Sequence, residues 1–222
     1  MTGRAVLLDA LGTLVELQPP APRLRRLLAE AGHEVDEGRA AAGFGAEIAY
    51  YLDHHLEGSD PAALDDLRDR CAEELRAALA LPGLDHATAR RVMLDAPVFT
   101  PYPDVEPALL DLRERGLTLV IASNWDCSLP EWLEPPGLLD LLDGVVSSAV
   151  VGAAKPDPAP FLRGLELAGV GPEEAIHVGD SPENDLEGAR AAGVRGVLVD
   201  RAGTAPAGLP SVSSLLEVSS LV

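Results

Sequence analysis

Short apolar runs recur along this chain, and they tend to stop at a polar residue. Ala5 to Leu8 is followed by Asp9, Leu117 to Ala122 by Ser123, and Ala175 to Val178 by Gly179 and Asp180, with further runs at Gly144 to Ser147 and Gly196 to Val199. A run that is apolar at nearly every position, rather than every second one, marks a strand buried on both faces, as in a parallel sheet covered by helices on each side. Helical periodicity lies between the runs, so strands alternate with helices in the order of a doubly wound, Rossmann-like α/β core. Asp157 ahead of Pro158 reads as a helix start with Gly169 as its stop. Ser181 ahead of Pro182, with Glu183 and Asp185 in the first turn and Gly193 beyond, reads as another. The Pro- and Ser-containing tail after Ala202 reads as a closing strand, loop and helix.

The alternation breaks from about Pro19 to Pro97, where the pattern is helical almost throughout. Arg23 to Ala31, Ala40 to Leu56, Ala62 to Leu81 and His86 to Leu94 read as four helices, separated by Gly32, by Gly58 with Asp60-Pro61, and by Pro82-Gly83. The expected organisation is a core of residues 1–18 and 97–222 interrupted by an all-helical cap domain of residues 19–96. Packed over the carboxyl ends of the strands, such a cap would be a lid that excludes water and selects substrates. The 222 residues suit one ordinary domain with a sizeable insert.

Charge excludes several partners. A formal net charge of −19 repels nucleic-acid phosphates and anionic membranes. It would also repel a phosphorylated metabolite, unless the site carries local cations in the form of a metal, a lysine and backbone N–H groups. The two cysteines, Cys71 and Cys127, have neither zinc-site spacing nor the density of a disulfide framework, which fits a reducing cytosol. The stretch from Met1 to the apolar run that Asp9 breaks is too short for a signal sequence, and no run reaches the roughly 20 residues of a membrane span. A cytoplasmic protein is expected, a monomer or weak homodimer with a small-molecule substrate, no nucleic acid and no membrane.

In an open parallel sheet, ligands bind in the crevice beyond the carboxyl ends of the strands. Asp9, Ser123, Lys155 after a loop, and Asp180 all follow strands, so they should converge. Their contexts are Asp9-Ala10-Leu11-Gly12-Thr13-Leu14, Ile121-Ala122-Ser123-Asn124, Lys155-Pro156-Asp157-Pro158, and His177-Val178-Gly179-Asp180-Ser181 with Asp185 following. In order and context these resemble the four motifs of the haloacid dehalogenase-like hydrolase superfamily over nearly the whole chain, and the inserted helices match the helical cap of its subfamily IA. Ser123-Asn124-Trp125-Asp126 and the stretch from Lys155 to Gly193 look most like the group of haloacid dehalogenase-like hydrolase domain-containing protein 3.

The resemblance implies a Mg²⁺-dependent hydrolase of phosphatase type. Asp9 would be the nucleophile that forms an aspartyl-phosphate. The carboxylates of Asp9 and Asp180 and the carbonyl of Leu11 would hold Mg²⁺, with Asp185 in support. Ser123, the N–H of Asn124 and Lys155 would bind the transferring group, and Thr13 would stabilise the turn after the nucleophile.

Leu11 is a departure, because phosphatases of the superfamily carry a second aspartate there as general acid and base. Leucine can offer its carbonyl to a metal but cannot move a proton, a function commonly worth about 10² to 10⁴ in rate. Weakened turnover of alkyl phosphates is expected. Two alternatives follow from the same position: a 2-haloacid dehalogenase-type hydrolase, and a catalytically impaired metal- and phosphate-binding regulatory protein. Against the dehalogenase stand Phe161, where those enzymes carry a tyrosine, the lack of their arginine near Phe44 and Gly45 despite Arg39 close by, and the metal-binding pattern of Asp180 and Asp185. Outside the motifs, Cys127 reads as a small buried filler, His54 and His55 as surface residues, His177 as a core or strand-end residue orienting the Asp180 loop, and Phe44, Tyr50 and Tyr51 as packing.

Overall fold

The computed structural model describes residues 4–222. Met1, Thr2 and Gly3, on which the expectation about a signal sequence partly rests, lie outside them. Two compact units emerge, one running to Glu16 and resuming over Thr100–Val222, the other spanning Leu17–Phe99.

In chain order the elements are β1 (Ala5–Leu8), β2 (Val15–Leu17), α1 (Pro20–Glu30), α2 (Glu37–His54), α3 (Pro61–Leu79), α4 (His86–Asp95) and β3 (Phe99–Pro101). They continue as α5 (Val105–Glu114), β4 (Thr118–Ser123), α6 (Leu129–Leu133), β5 (Gly144–Ser147), α7 (Ser148–Val151), α8 (Ala159–Ala168) and β6 (Ala175–Gly179). A π-helical turn (Pro182–Glu187), α9 (Gly188–Ala191), β7 (Arg195–Val199), β8 (Ser211–Val212) and a closing 3-10 turn (Leu215–Ser220) complete the chain. Strands β2 and β3 form a two-stranded sheet of their own. At three residues each they are too short for a sequence period to reveal.

The main sheet has the order β5-β4-β1-β6-β7-β8, and its neighbouring strands pair in parallel. Apolar runs form its centre for the reason the sequence suggests: Ala5, Leu7, Val120 and Ala122 on one face and Val6, Leu8, Leu119 and Ile121 on the other are all fully buried. Each fully buried leucine or isoleucine contributes about 1.5 to 3 kcal/mol. Phe161 and Leu165 of α8 pack on the first face together with Ala189, Ala192 and Val194. The chain steps from β1 to β4 on one side and to β6 on the other, so the reversal in strand order falls at β1, where a crevice opens beyond the strand ends. Register decides what reaches it. Leu8 pairs with Ile121 and with Val178, so Asp9, Ser123 and Asp180 all emerge from the same edge of the sheet.

Two helix starts differ from expectation. Two of the three residues after Asp157 are prolines, which have no N–H, so its carboxylate accepts from Ala159 N at 2.8 Å while α8 itself begins after Pro158. The helix expected after Ser181 is a π-helical turn followed by the short α9. Ser181 does cap it, with its side chain accepting from Asn184 N, but the carboxylate of Asp185 is drawn back to Ser181 N at 2.9 Å and the turn widens around it. Such wide turns recur at functional sites. The tail ends in a 3-10 turn rather than an α-helix.

In the helical unit the apolar stripes follow helical spacing, with Ala40, Gly43, Phe44 and Glu47 buried on α2 and Leu64, Leu67, Cys71, Leu75 and Leu79 on α3. Asp36, Asp60 and Asp85 cap α2, α3 and α4 through backbone N–H groups. The end of α3 is held by Arg39, which donates to the carbonyls of Leu79 (2.8 Å) and Ala80 (2.9 Å). Tyr50 stacks on His54 at 4.0 Å and its hydroxyl accepts from Arg70, so it is engaged in packing. Cys127 in the other unit is half-buried, less enclosed than the filler expected. Among the described residues no helix is long and apolar enough to cross a membrane.

Candidate active site

β1 ends at Leu8, and the Asp9 N–H continues the ladder by donating to Val178 O at 2.9 Å, which fixes where the Asp9 side chain starts. The carboxylate is buried, and its Oδ1 accepts from Ser123 Oγ at 2.9 Å and from Lys155 Nζ at 2.6 Å. Ser123 is the last residue of β4. Lys155 comes from the loop after α7, and its backbone is gripped by the Asn124 side chain, which accepts from Lys155 N at 2.7 Å and donates to Lys155 O at 3.0 Å. The sequence suggested only the Asn124 backbone N–H as a functional group; the side chain seats the lysine.

Lys155 Nζ also donates to Asp185 Oδ1 at 2.6 Å. That oxygen accepts in addition from His177 Nε2 at 2.8 Å, while Oδ2 accepts from Ser181 N. An ionised carboxylate only accepts, so His177 donates through Nε2–H in this bond. Its ring is fully buried and lies edge-on to Phe161, with centroids 4.8 Å apart. His177 thus holds Asp185, whose other oxygen is bonded to Ser181 N in the loop that carries Asp180.

Asp180 is the more open carboxylate of the set, yet oxygens of Asp9, Asp180 and Asp185 all lie within 4.8 Å of one another. Two glycines make that approach possible. A side chain at Gly12, which holds φ +86°, would overlap the Asp180 carboxylate, and one at Gly179 would overlap that of Asp185. Sequence reasoning quoted both glycines inside their motifs without seeing that each clears space for a carboxylate.

Electrostatics follow from this crowding. Burial raises the Asp9 pKa above its ordinary range, and the neighbouring Asp185 charge adds to that while Lys155 and Ser123 oppose it. Burial pushes Asp180 up to about 6, helped by the Asp9 and Asp185 charges. For Asp185 burial alone would act upward, but Lys155 and His177 outweigh it and hold the carboxyl below its ordinary range. Burial would also discharge Lys155, and the two carboxylates against it instead keep its pKa above the ordinary value.

The remaining residues singled out in the first motif behave differently. Leu11 is 44% exposed, in the turn that separates Asp9 from Val15. Thr13 is buried, and its Oγ1 has no hydrogen-bond partner among the described residues. Its carbonyl accepts from Arg201 Nη2 at 2.8 Å, a contact no motif announced. Phe161 and Arg39 are both committed elsewhere, the first against His177 and the second to the end of α3.

A family model described as haloacid dehalogenase-like hydrolase matches residues 4–193. The chain is similar to a phosphoserine phosphatase of Thermus thermophilus, 46% identical over 101 residues that cover 45% of this chain and 41% of the relative. It is also similar to haloacid dehalogenase-like hydrolase domain-containing protein 3 of Bos taurus, 44% identical over 94 residues, 42% of this chain and 38% of the relative. The match therefore spans less than half the length of these curated relatives. Among solved structures, a 2-haloacid dehalogenase from Pseudomonas syringae pv. Tomato superposes over 100% of this chain and 98% of its own, with a TM-score of 0.71 and 25% identity.

Proposed function

The chain belongs to the haloacid dehalogenase-like hydrolases, and from that premise we propose that it is a Mg²⁺-assisted phosphatase that hydrolyses a small phosphorylated metabolite through Asp9. The observation that carries this reading is a charge imbalance: three carboxylates, Asp9, Asp180 and Asp185, converge on one another, and the ammonium of Lys155 pairs with two of them, Asp9 and Asp185. Two negative charges remain over, and the open donors are hard oxygens, the ligand type that Mg²⁺ prefers. Asp9 and Asp180 would hold the ion with the Leu11 carbonyl, and Asp185, already committed to Lys155, His177 and Ser181, would stand behind them. When bound, the ion would supply charge stabilisation at the transferring phosphoryl oxygens.

The protein's own groups then divide the work. Asp9 Oδ1 accepts from Ser123 and Lys155, so Oδ2 is the freer oxygen and would be the attacking atom. An Oδ2–P bond forms as the bond from phosphorus to the leaving oxygen breaks, giving an aspartyl-phosphate. Water then adds to that phosphorus, releasing inorganic phosphate and returning the carboxylate. Lys155 Nζ and Ser123 Oγ, already fixed beside the nucleophile, would turn toward the phosphoryl oxygens as charge grows there. Leu11 cannot protonate the leaving oxygen, so acyl and aryl phosphates should react faster than alkyl phosphates. The phosphatase named among the relatives supports the reaction class. The helical residues 19–96 are taken as the substrate-selecting cap, on the family's organisation.

One further observation favours a second reading. With a leucine at the acid position, the fold could bind metal and phosphate without useful turnover, as a regulatory protein would. A screen of phosphorylated metabolites with and without Mg²⁺, run beside 2-chloropropionate and beside Asp9→Asn, separates the possibilities. Phosphate release that needs both Mg²⁺ and Asp9 is expected. Halide release independent of Mg²⁺ would replace the phosphatase reading with a dehalogenase, and saturable phosphate binding without turnover would replace it with the regulatory one.

A further inference from the structure

We propose that Arg201, in the loop after β7, is a positioning residue that holds the turn carrying the nucleophile, an inference that rests on Asp9 being that nucleophile. The turn from Asp9 to Val15 is fastened at its base by Ala10 O, which accepts from Leu14 N at 2.8 Å and from Val15 N at 3.0 Å. On its far side two contacts hold it: Tyr102 N donates to Leu14 O at 3.1 Å, and Arg201 Nη2 donates to Thr13 O at 2.8 Å. The same guanidinium donates from Nη1 to Asp104 Oδ2 at 2.6 Å and lies over the Tyr102 ring, 4.1 Å from its centroid. Asp104 Oδ2 in turn accepts from Ser214 Oγ and Leu215 N. One planar group therefore ties together the nucleophile turn, the β3–α5 junction, the loop after β7 and the C-terminal turn.

Position makes this more than a brace. Gly12 sits in the middle of the turn, so close to the Asp180 carboxylate that no side chain fits between them. A shift of the Thr13 carbonyl moves Gly12 and Leu11 with it, and so changes both the space left for Asp180 and the backbone that follows Asp9. Arg201, Tyr102, Gly12 and Asp180 also line one shared pocket of about 280 Å³. Among the described residues Thr13 Oγ1, Asp104 Oδ1 and Arg201 Nε are buried without hydrogen-bond partners. A half-satisfied polar cluster is a poor way to stabilise a fold, since apolar packing would do as well or better. What it supplies is a fixed geometry, and only a guanidinium can present two separate donors and a flat face at once.

The test compares Arg201→Met and Arg201→Lys with wild type by hydrogen exchange of the turn amides and by steady-state kinetics on an aryl phosphate with Mg²⁺. In Arg201→Met the amides of Gly12, Leu14 and Val15 are expected to exchange faster while those of α1 to α4 do not. kcat should fall about 10- to 100-fold, as expected for a displacement on the order of 1 Å, with KM little changed. Arg201→Lys reaches only one acceptor and should recover part of the loss. Unchanged exchange at the turn, or unchanged kcat in a folded Arg201→Met, overturns the inference, and so does Arg201→Lys matching wild type in both. If Arg201→Met does not fold, Arg201→Lys alone decides by the same two readouts. Loss of the phosphatase reading shows separately, as a wild type no more active than Asp9→Asn, and the exchange data still decide whether Arg201 holds the turn.

Discussion

Replacing Leu11 with aspartate tests the chemistry at its weakest point. Leu11 is 44% exposed and sits in a turn whose hydrogen bonds all engage its backbone, Gly12 N to Val15 O at 2.8 Å, Leu14 N to Ala10 O at 2.8 Å and Arg201 Nη2 to Thr13 O at 2.8 Å, so the substitution removes little packing. It places a carboxyl two residues after Asp9, beside a site where three carboxylates already crowd together and Lys155 pairs with two of them. That surplus of negative charge raises the pKa of any carboxyl added to it, which suits a group that must carry a proton to a leaving oxygen. Restored general acid catalysis should raise alkyl phosphate turnover by about 10² to 10⁴, a barrier reduction of about 2.7 to 5.5 kcal/mol. Misplacement of the new carboxyl takes its share of that gain. Aryl phosphates, whose leaving groups need no proton, should gain far less. The assay is kcat/KM on matched alkyl and aryl phosphates for wild type and Leu11→Asp, with circular dichroism to show that the variant is folded. The reasoning is refuted if wild type already hydrolyses the alkyl phosphate efficiently and folded Leu11→Asp leaves that rate unchanged, because another residue would then be the acid.

Three other outcomes are expected. Mg²⁺ should raise the melting temperature, since at 100 times its dissociation constant a ligand of the native state adds about 2.7 kcal/mol, on the order of 5 to 10 °C for a chain of this size; a thermal scan flat in both Mg²⁺ and Ca²⁺ would count against the metal. Gly12→Ala should remove that thermal response together with activity, because the new methyl overlaps the Asp180 carboxylate at a backbone φ of +86° that alanine resists; a variant that keeps both contradicts the packing argument. Glu47 in α2 is buried, and burial pushes its carboxyl from an ordinary 4.5 up to about 7, with the Cys71 hydrogen bond opposing. A folded-state pKa above the unfolded one means that the native state holds the proton more tightly, so stability should decline as pH rises from 4.5 through 7, by at most about 3 kcal/mol, and then level off. Urea titrations of wild type and Glu47→Gln across that range check it, and parallel curves would show that Glu47 is not the source.

Much of the core unit was legible because its strands are buried on both faces. Continuous apolar runs such as Leu119-Val120-Ile121-Ala122 have few alternatives, and the polar residue ending each run marks the crevice edge without any knowledge of contacts. Short or irregular elements were not legible: β2 and β3 are too brief for a period, and the π-helical turn after Ser181 exists because Asp185 is pulled back toward Ser181 N, Lys155 and His177.

By itself the amino-acid order determined the parallel α/β core, the helical insert, and which residues would stand at the strand ends, because periodicity and strand-end polarity are local properties. Tertiary structure alone decided how those residues use one another. Asp9 and Lys155 are 146 positions apart, and their 2.6 Å contact, like the bond from His177 to Asp185 and the reach of Arg201 to Thr13 O, depends on register and side-chain direction across several elements. The glycines carry the same lesson. Gly12 and Gly179 are only letters of their motifs in one dimension, whereas in three they are the gaps through which two carboxylates approach a third.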